Sequence, residues 1–524
     1  MKEFEQTKAL IIGVGKGGKS LALQLKKRGI NVYVTDGNIE SAQKFANSNE
    51  LNVFTSNATQ DELQNAIKSY GFSFVSPSAG VPTKLNANPI IIACNAIGVP
   101  TLTDLDLFLN EERLQRPQNI QIGVTGTNGK STTVAILTHL LNCFKLNSQY
   151  AGNIGVPFFE AINKNETGEV EREMEFRVLE ISSYQLENSS IPDNAIDFSI
   201  FTNITKDHIE RHGTEENYIS AKAKLAKASN IVIVNANCPI LHGIKNNAEN
   251  SDRHKYREFS TTSVVPLGTS IVDGELFFNG SNIVNISDSL LCNASLLGNH
   301  NISNLASALD VLLLILTASN PIFDENANKT LQNAIQSFKG LPHRMETACI
   351  AKISANGNDK NGNNGKSHNS KYGNDDVCDD DYDDGKNKIT FINDSKATNV
   401  NSLEKCLEAL KPSENVINLI LGGVPKGDKL SEIQHLLKSI NCVFLIGQSS
   451  DDFENELNLI GVKCHKCNTL KNAVDLAFNN CKEIESDSMV VLSPACASFD
   501  QFANFEERGG EFKSIAQDIC KNHK

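Results

Sequence analysis

The sequence predicts an α/β protein of three domains, each carrying a largely parallel sheet. Three observations lead there. Short β-type apolar runs alternate with helical stretches, the pattern of parallel strands joined by crossover helices. Two strand–glycine turn–helix units occur, over residues 9–27 and 120–141. At 524 residues the chain is too long for a single hydrophobic core.

The first unit starts with a strand, Ala9 to Ile12, and the turn G-V-G-K-G-G over residues 13–18. A helix through Lys27 follows, then a strand from Val32 to Thr35 closed by Asp36. An acidic residue about twenty positions after G-x-G-x-x-G is the Rossmann-like arrangement. Three readings of the turn stand open: a dinucleotide site, a site for another diphosphate ligand, or a plain tight turn. Phe74 to Gly80 reads as a later strand and loop of the same sheet. Ile90 to Ala93 and Val99 to Leu102 are expected to continue it, ending the first domain near residue 102.

The second unit is the centre of the chain. An apolar run, Ile120 to Val124, leads into G-T-N-G-K-S-T over residues 126–132 and then a helical stretch through Leu141. Small residues let backbone N–H groups close around phosphate oxygens, Lys130 adds a point charge, and the Ser131 hydroxyl suits Mg²⁺. Val124 stands where the first glycine of G-x-x-x-x-G-K-[ST] belongs, so the usable core runs from Gly126 to Ser131. The plainer alternative is a glycine-rich turn with a surface lysine. Phe176 to Glu180 reads as a strand ending in a carboxylate, either a Mg²⁺ partner or a solvent-facing strand end. Phe198 to Asn203 reads as a strand leading to T-K-D-H-I-E-R-H over residues 205–212. Its two histidines are four apart but miss the H-E-x-x-H order of zinc proteases. Tyr218 to Ala228 is helical by propensity and contains Lys222. Ile231 to Val234 reads as a strand, and short β-like pieces follow with Gly268, Gly274 and Gly280 as turns. Polar residues crowd the start of a helix near Asn301 and Asn304, either as caps or as a base or phosphate contact.

A linker, Phe338 to Glu346, opens the third domain near residue 341. Its strands are expected at Lys388 to Ile392, Val416 to Leu421, Val443 to Ile446 and Met489 to Leu492. Residues 356–388 are rich in Asn, Gly, Lys, Ser and Asp with almost no large apolar side chains, the composition of a disordered insertion. The acidic run within it lacks a Ca²⁺ loop's spacing.

The net charge of −13 argues against nucleic acid as a partner, although seven acids fall between Asp375 and Asp384 alone. Thirteen scattered cysteines, an odd number, argue against a disulfide framework and for a reducing cytoplasm. The isolated C-x-x-C at Cys464 and Cys467 has no second pair, and chance is the better reading. The N-terminus lacks a signal-peptide pattern. Val311 to Ala318 is too short to span a bilayer and reads as a buried helix segment, so no membrane insertion is expected.

End to end apart from the insertion, the chain resembles the Mur ligases, ATP-dependent amide-forming enzymes of peptidoglycan synthesis. The G-T-N-G-K-S-T loop belongs to the wider superfamily. Three further stretches, G-L-P-H-R-M-E at 340–346, N-D-S-K-A-T-N at 393–399 and L-S-P-A-C-A-S-F-D-Q-F-A-N-F-E-E-R-G at 492–509, are similar to the D-glutamate-adding branch.

That resemblance implies three domains: a UDP-substrate domain over 1–102, an ATP-binding domain with a P-loop ATPase-like parallel sheet over 103–340, and a Rossmann-like D-glutamate-binding domain over 341–524. It implies ATP and Mg²⁺ as cofactors, UDP-N-acetylmuramoyl-L-alanine and D-glutamate as substrates, an acyl-phosphate intermediate, and a monomer. By resemblance Gly15, Lys16, Gly17 and Gly18 face the diphosphate, and Asp36 and Gly37 lie near the uridine; relatives often carry an arginine where this chain has Gly37 and Asn38. Asn153 holds the substrate near the catalytic centre. Gly126, Thr127, Asn128, Gly129, Lys130, Ser131 and Thr132 hold ATP, with Asn304, Arg344 and Asp394 as further contacts. Ser131 and Glu180 ligate one Mg²⁺; His208 and Lys222 belong to a second metal site, Lys222 as a CO₂-derived carbamate. Lys396, Thr398, Lys426, Ser498 and Phe505 shape the D-glutamate pocket. Lys130, His208 and Lys222 carry the catalytic roles. The rival readings are a folylpolyglutamate synthase-like ligase and a nicotinamide-dependent oxidoreductase built on residues 13–36.

Overall fold

The computed structural model describes residues 7–55, 59–84, 87–153, 155–163, 174–205, 207–246, 255–291, 293–296, 298–319, 324–354, 386–411, 415–425 and 427–523. Lys426 and nearly all of the expected insertion lie outside the described residues. The chain divides into two compact units, Met1–Phe338 and Lys339–Lys524.

The first unit contains two sheets. Strands β1 (Lys8–Ile12), β2 (Asn31–Thr35), β3 (Asn52–Val53) and β4 (Phe74–Pro77) form a sheet in the order β3-β2-β1-β4. All of its pairs are parallel, and β1 is buried along most of its length, as a sheet covered on both faces requires. Ile90 to Ala93 does not continue this sheet. It lies in a helix, Pro89–Ala96, whose N-cap Asn88 accepts from Ile90 N–H and whose first position is proline. That start signal outweighs the β-like look of three consecutive isoleucines. Only Thr101 of the Val99 to Leu102 stretch bridges the sheet, beside Val75.

The second sheet has nine strands: β5 (Ile120–Thr125), β6 (Ser148–Gly152), β7 (Phe176–Glu180), β8 (Ile196–Phe201), β9 (Ser229–Asn235), β10 (Tyr256–Ser260), β11 (Gly268–Val272), β12 (Glu275–Phe278) and β13 (Ser281–Asn285). Their order is β13-β12-β11-β10-β9-β8-β5-β7-β6, parallel except for the β11–β12–β13 meander. β5 sits centrally, with β7 and β8 as neighbours. One face is covered by the helix Lys130–Cys143 and the helix Asn299–Ser319, in a core containing Val134, Leu137, Leu305, Leu309 and Leu312. By length and composition the stretch Asn299–Ala318 would also cross a membrane. Here it is a core helix, and its Asp310 is fully buried against Arg257 at 2.8 Å.

The second unit is a six-stranded sheet in the order β14-β15-β19-β16-β17-β18. Its strands are β14 (Glu346–Ser354), β15 (Lys386–Asn393), β16 (Val416–Gly422), β17 (Cys442–Ile446), β18 (Cys464–Asn468) and β19 (Ser488–Leu492). β14 is antiparallel to β15 and the rest are parallel. β15 begins at Lys386, so the low-complexity segment ends earlier than its composition implies. The C-x-x-C lies in β18, an edge strand where Cys467 is buried and Cys464 half-buried. The expectation of unpaired cysteines needs one correction: Cys349 of β14 and Cys520 of the helix Phe505–Asn522 form a disulfide, 171 residues apart.

Candidate active site

In the first unit the site grows from the C-terminal end of β5. Pairing sets Val124 beside Glu180 of β7 and Thr125 beside Phe201 of β8, so a carboxylate stands next to the strand that enters the glycine turn. The turn ends on Gly129, with φ +84°, and the helix Lys130–Cys143 follows. A Cβ at Gly129 would overlap Asn304 Oδ1, which fixes Asn304 of the core helix against the turn. A Cβ at Gly126, where φ is +152°, would overlap Thr202 Oγ1. Glycine at both positions follows from close approach and left-handed backbone together.

The residues after β8 clamp the turn. Thr202 Oγ1 donates to Asn128 O at 2.5 Å, and Asn203 Nδ2 donates to the same carbonyl at 3.1 Å. Thr127 N–H donates to Asn203 O at 2.8 Å and Asn128 N–H to Asn203 Oδ1 at 3.0 Å. Beneath the turn, the Tyr218 hydroxyl and Thr127 Oγ1 are 2.8 Å apart.

Two lysines converge on one carbonyl. Lys130 Nζ donates to Gly126 O at 2.9 Å and to Thr127 O at 2.8 Å; Lys222 Nζ donates to Gly126 O at 2.8 Å. Lys222 is 1% exposed and lies 4.8 Å from the centre of the Tyr218 ring. Burial, reinforced by the Lys130 cation and opposed by Asp207, holds its amine well below the usual lysine range. Glu180 is 2% exposed: its Oε1 accepts from Asn153 Nδ2 at 3.0 Å, whereas Oε2 finds no hydrogen-bond partner among the described residues. A buried carboxylate oxygen left open on the strand beside the glycine turn fits a cation. Ser131 is buried in the first turn of the helix that follows the glycine turn. His208 sits in the left-handed region at φ 53°, its Nδ1 3.3 Å from the Tyr184 hydroxyl and its ring 6.3 Å from Tyr218.

At the first sheet the helix Lys16–Lys27 starts on Gly15 without a side-chain cap, leaving its N-terminal N–H groups open to an anion. Asp36 shapes this turn: its carboxylate accepts from Val14 N–H at 2.7 Å and Asn38 N–H at 2.9 Å. Arg211 donates to the carbonyls of Val81 at 2.8 Å and Gly80 at 3.3 Å, and pairs with buried Glu187 at 3.0 Å.

In the second unit the C-terminal ends of β15, β16 and β19 lie on one side because the three are parallel. Asp394 follows β15 and is 5% exposed; it accepts from Ser493 Oγ at 2.9 Å and Met345 N–H at 3.2 Å. Burial pushes its carboxyl up to about 6 against those bonds. Exposed Lys396 places its ammonium 5.4 Å from the centre of the Phe505 ring. Ser498 is buried, Thr398 half-buried, and Arg344 is in the loop before β14, bridged to Leu341. Arg508, 1% exposed, ties the three loops together: it donates to Ser395 Oγ at 3.0 Å, Ser395 O at 2.8 Å, Cys496 O at 3.1 Å and Gly422 O at 3.4 Å.

Residues 124–312 match the Mur ligase middle domain, and residues 382–496 match the Mur ligase glutamate ligase domain. A UDP-N-acetylmuramoylalanine--D-glutamate ligase of Elusimicrobium minutum (strain Pei191) is 30% identical over 535 residues, covering 99% of each chain. The chain belongs to the Mur ligases. The enzyme of the same name from Rickettsia bellii (strain RML369-C) is 32% identical, covering 83% of this chain and 82% of its own. Residues 8–75 also match a family described as NADP oxidoreductase coenzyme F420-dependent, a likeness confined to the first sheet. Among solved structures, the UDP-N-acetylmuramate-alanine ligase of Thermotoga maritima superposes with a TM-score of 0.53 at 16% identity, over 98% of this chain and 100% of that one. A UDP-N-acetylmuramoyl-L-alanyl-D-glutamate--2,6-diaminopimelate ligase gives 0.52 at 17%, over 95% and 93%. These two likenesses concern the fold.

Within this Mur ligase, the structure brings Lys130, Lys222, Asn304 and Tyr218 together around the glycine turn, with Glu180 on the adjacent strand. Lys396 and Phe505 meet in the second unit. Sequence reasoning passed over Thr202, Asn203, Tyr218 and Arg508. The first two stood at the end of an expected strand, and Arg508 stood inside a quoted motif, so their positions were visible while their contacts were not.

Proposed function

We propose that this Mur ligase joins D-glutamate to UDP-N-acetylmuramoyl-L-alanine at the expense of ATP, through an acyl phosphate. The observation that carries the reading is the convergence of Lys130 and Lys222 on Gly126 O, next to the strand that ends in the half-satisfied Glu180. The name shared by the full-length relatives supports the choice of substrates.

A carboxylate resists attack by an amine. Phosphorylation by ATP converts one substrate oxygen into a phosphate leaving group, and the amine of D-glutamate then displaces it as inorganic phosphate. Both partners are anionic, so the protein's work is positioning and charge neutralisation. Lys130 is placed to turn from its own loop carbonyls onto the β- and γ-phosphates. The N–H groups at the start of the following helix receive phosphate oxygens, while those of Thr127 and Asn128 stay held by Asn203. Ser131, Glu180, His208 and Lys222 are the residues that would hold Mg²⁺, which supplies charge neutralisation when bound. An ammonium cannot ligate a cation, so Lys222 in this role works as a carbamate formed by its neutral amine and CO₂. Its depressed basicity makes that amine available. Gly15 to Gly18 receive the diphosphate of the sugar nucleotide, with Asp36 near the uridine and Asn153 near the reacting end. Arg344 and Asp394 are assigned to ATP, and Lys396, Thr398, Lys426, Ser498 and Phe505 to D-glutamate. We assign residues 1–102 to the UDP substrate, 103–340 to ATP and 341–524 to D-glutamate, in a cytoplasmic monomer.

The test is ATP-dependent phosphate release. It should require UDP-N-acetylmuramoyl-L-alanine and D-glutamate together. Release with a folate acceptor, or with neither substrate, would overturn the reading. For Lys222, the alanine variant should lose nearly all activity and recover part of it with added short carboxylic acids; full activity without them would remove Lys222 from the metal site.

A further inference from the structure

Two long elements of the second unit run side by side from the loops of the site to its far edge. β14 starts directly after the His343–Arg344–Met345 loop, and the C-terminal helix starts at Phe505. Near the site they are held by the ion pair of Lys513 with Glu346, and Asn393 Nδ2 donates to both Glu346 Oε2 at 3.2 Å and Gly509 O at 3.1 Å. At the far end they are held by the Cys349–Cys520 disulfide and by Lys352 N–H donating to His523 O at 3.2 Å. The disulfide is the single covalent cross-link among the described residues; the nine other described cysteines are free. Its two residues are unequally exposed: Cys349 is half-buried on an edge strand, whereas Cys520 is 6% exposed. A small thiolate therefore reaches Cys349 first.

We propose that Cys349 and Cys520 form a reversible thiol–disulfide site, exchanging with a small thiol of the glutathione class, that sets how firmly the C-terminal helix is docked and thereby the affinity for D-glutamate. The affinity clause rests on the assignment of the second unit to D-glutamate. In the reducing direction a glutathione thiolate attacks Cys349 Sγ and Cys520 leaves as a thiolate. A second glutathione then attacks the mixed disulfide, releasing Cys349 and glutathione disulfide. Two glutathione thiols are oxidised for one protein disulfide reduced, and oxidation by glutathione disulfide is the reverse. Breaking the bond leaves the Cys520 end of the helix held by the Lys352–His523 hydrogen bond and core packing, and the other end carries Phe505 and Arg508, so the loosening is transmitted along about 25 Å of helix.

The experiment compares full-length protein equilibrated with glutathione disulfide and with dithiothreitol. Alkylation and peptide mass spectrometry should find the Cys349–Cys520 link in the first and two alkylated thiols in the second. Amide hydrogen exchange over residues 505–513 should be at least fivefold faster in the reduced protein. The KM for D-glutamate should rise at least threefold on reduction, with the KM for ATP unchanged. Cys349→Ser should resemble the reduced protein in both buffers. Absence of the linked peptide, equal exchange in the two states, or a redox response that persists in Cys349→Ser would each overturn the proposal. If Cys349→Ser does not fold, the two wild-type states decide. If D-glutamate supports no phosphate release, the functional assignment fails separately, and the exchange measurement still decides whether the staple acts on the helix.

Discussion

Asp394 is a carboxyl held by two hydrogen bonds yet pushed up to about 6 by burial, so its ionisation works against the folded state. The ordinary value is 3.8, and between there and about 6 the folded chain holds a proton that the unfolded chain has released. Stability from this group therefore falls as pH rises through that window. Asp394→Asn removes the titration while keeping an acceptor for Met345 N–H. The variant should gain on wild type by about 2 kcal/mol between pH 4 and 7, measured by denaturant unfolding of the second unit's signal. A constant difference across that range would mean the group titrates normally. Lys130→Ala is the complementary case. Its ammonium touches loop carbonyls rather than core, so the fold should persist while phosphate release falls roughly a hundredfold or more. Near-normal turnover would remove Lys130 from the phosphates.

The element that organises the first site is the four-residue turn Gly126 to Gly129, and its shape is set from outside. Thr202 and Asn203 hold three of its backbone groups. Thr202→Val is nearly isosteric and deletes the hydroxyl donor, leaving Asn128 O with the weaker Asn203 bond. A loss of about 1 kcal/mol, read as a fall of about 2 °C in melting temperature, should come with a several-fold rise in the KM for ATP. An unchanged KM would show that the turn keeps its shape without the clamp. The glycine turn, Lys130, Glu180 and Lys222 were legible because local chain order and spacing specify strand, turn and helix. The clamp was not legible, since it joins residues about 75 positions apart through sheet pairing. The same limit explains Ile90 to Ala93, where a short apolar run fits either element until its cap is weighed. It also explains β14 and β18, whose polar and cysteine-rich sequences lack a clean alternation, and the disulfide, whose pairing is a property of tertiary structure alone.

On the scale of the molecule, the low-complexity segment can be set against the sheet it interrupts. Ser354 ends β14 and Lys386 begins β15, and these two residues are register partners in an antiparallel pair. Their separation is one that a hairpin of two to five residues closes. Replacing residues 355–385 by Asn-Gly flanked by serine should leave D-glutamate-dependent phosphate release within about twofold of wild type, because loop-closure entropy changes only slowly with the length of a connection. A folded variant that binds ATP but no longer adds D-glutamate would show that the segment takes part in the reaction. The replacement must stop before Lys386, three residues earlier than composition alone would place the boundary.

The central place of β5 also bears on how the protein is made. Both of its neighbours, β7 and β8, are synthesised after it, and the clamp on the glycine turn waits for Asn203. At translation speeds of about 5–20 residues per second, the β8-facing edge of β5 keeps its backbone N–H and C=O groups unpaired for roughly 4–16 s as the nascent chain lengthens. For that interval the ribosome carries a strand whose β8 partner does not yet exist, an exposed edge of the kind that chaperones shield. Nucleotide can stabilise this unit only after about the first two fifths of the chain has emerged. On the proposed ATP site, chains stalled before Asn203 would go to proteolysis without any protection by bound nucleotide.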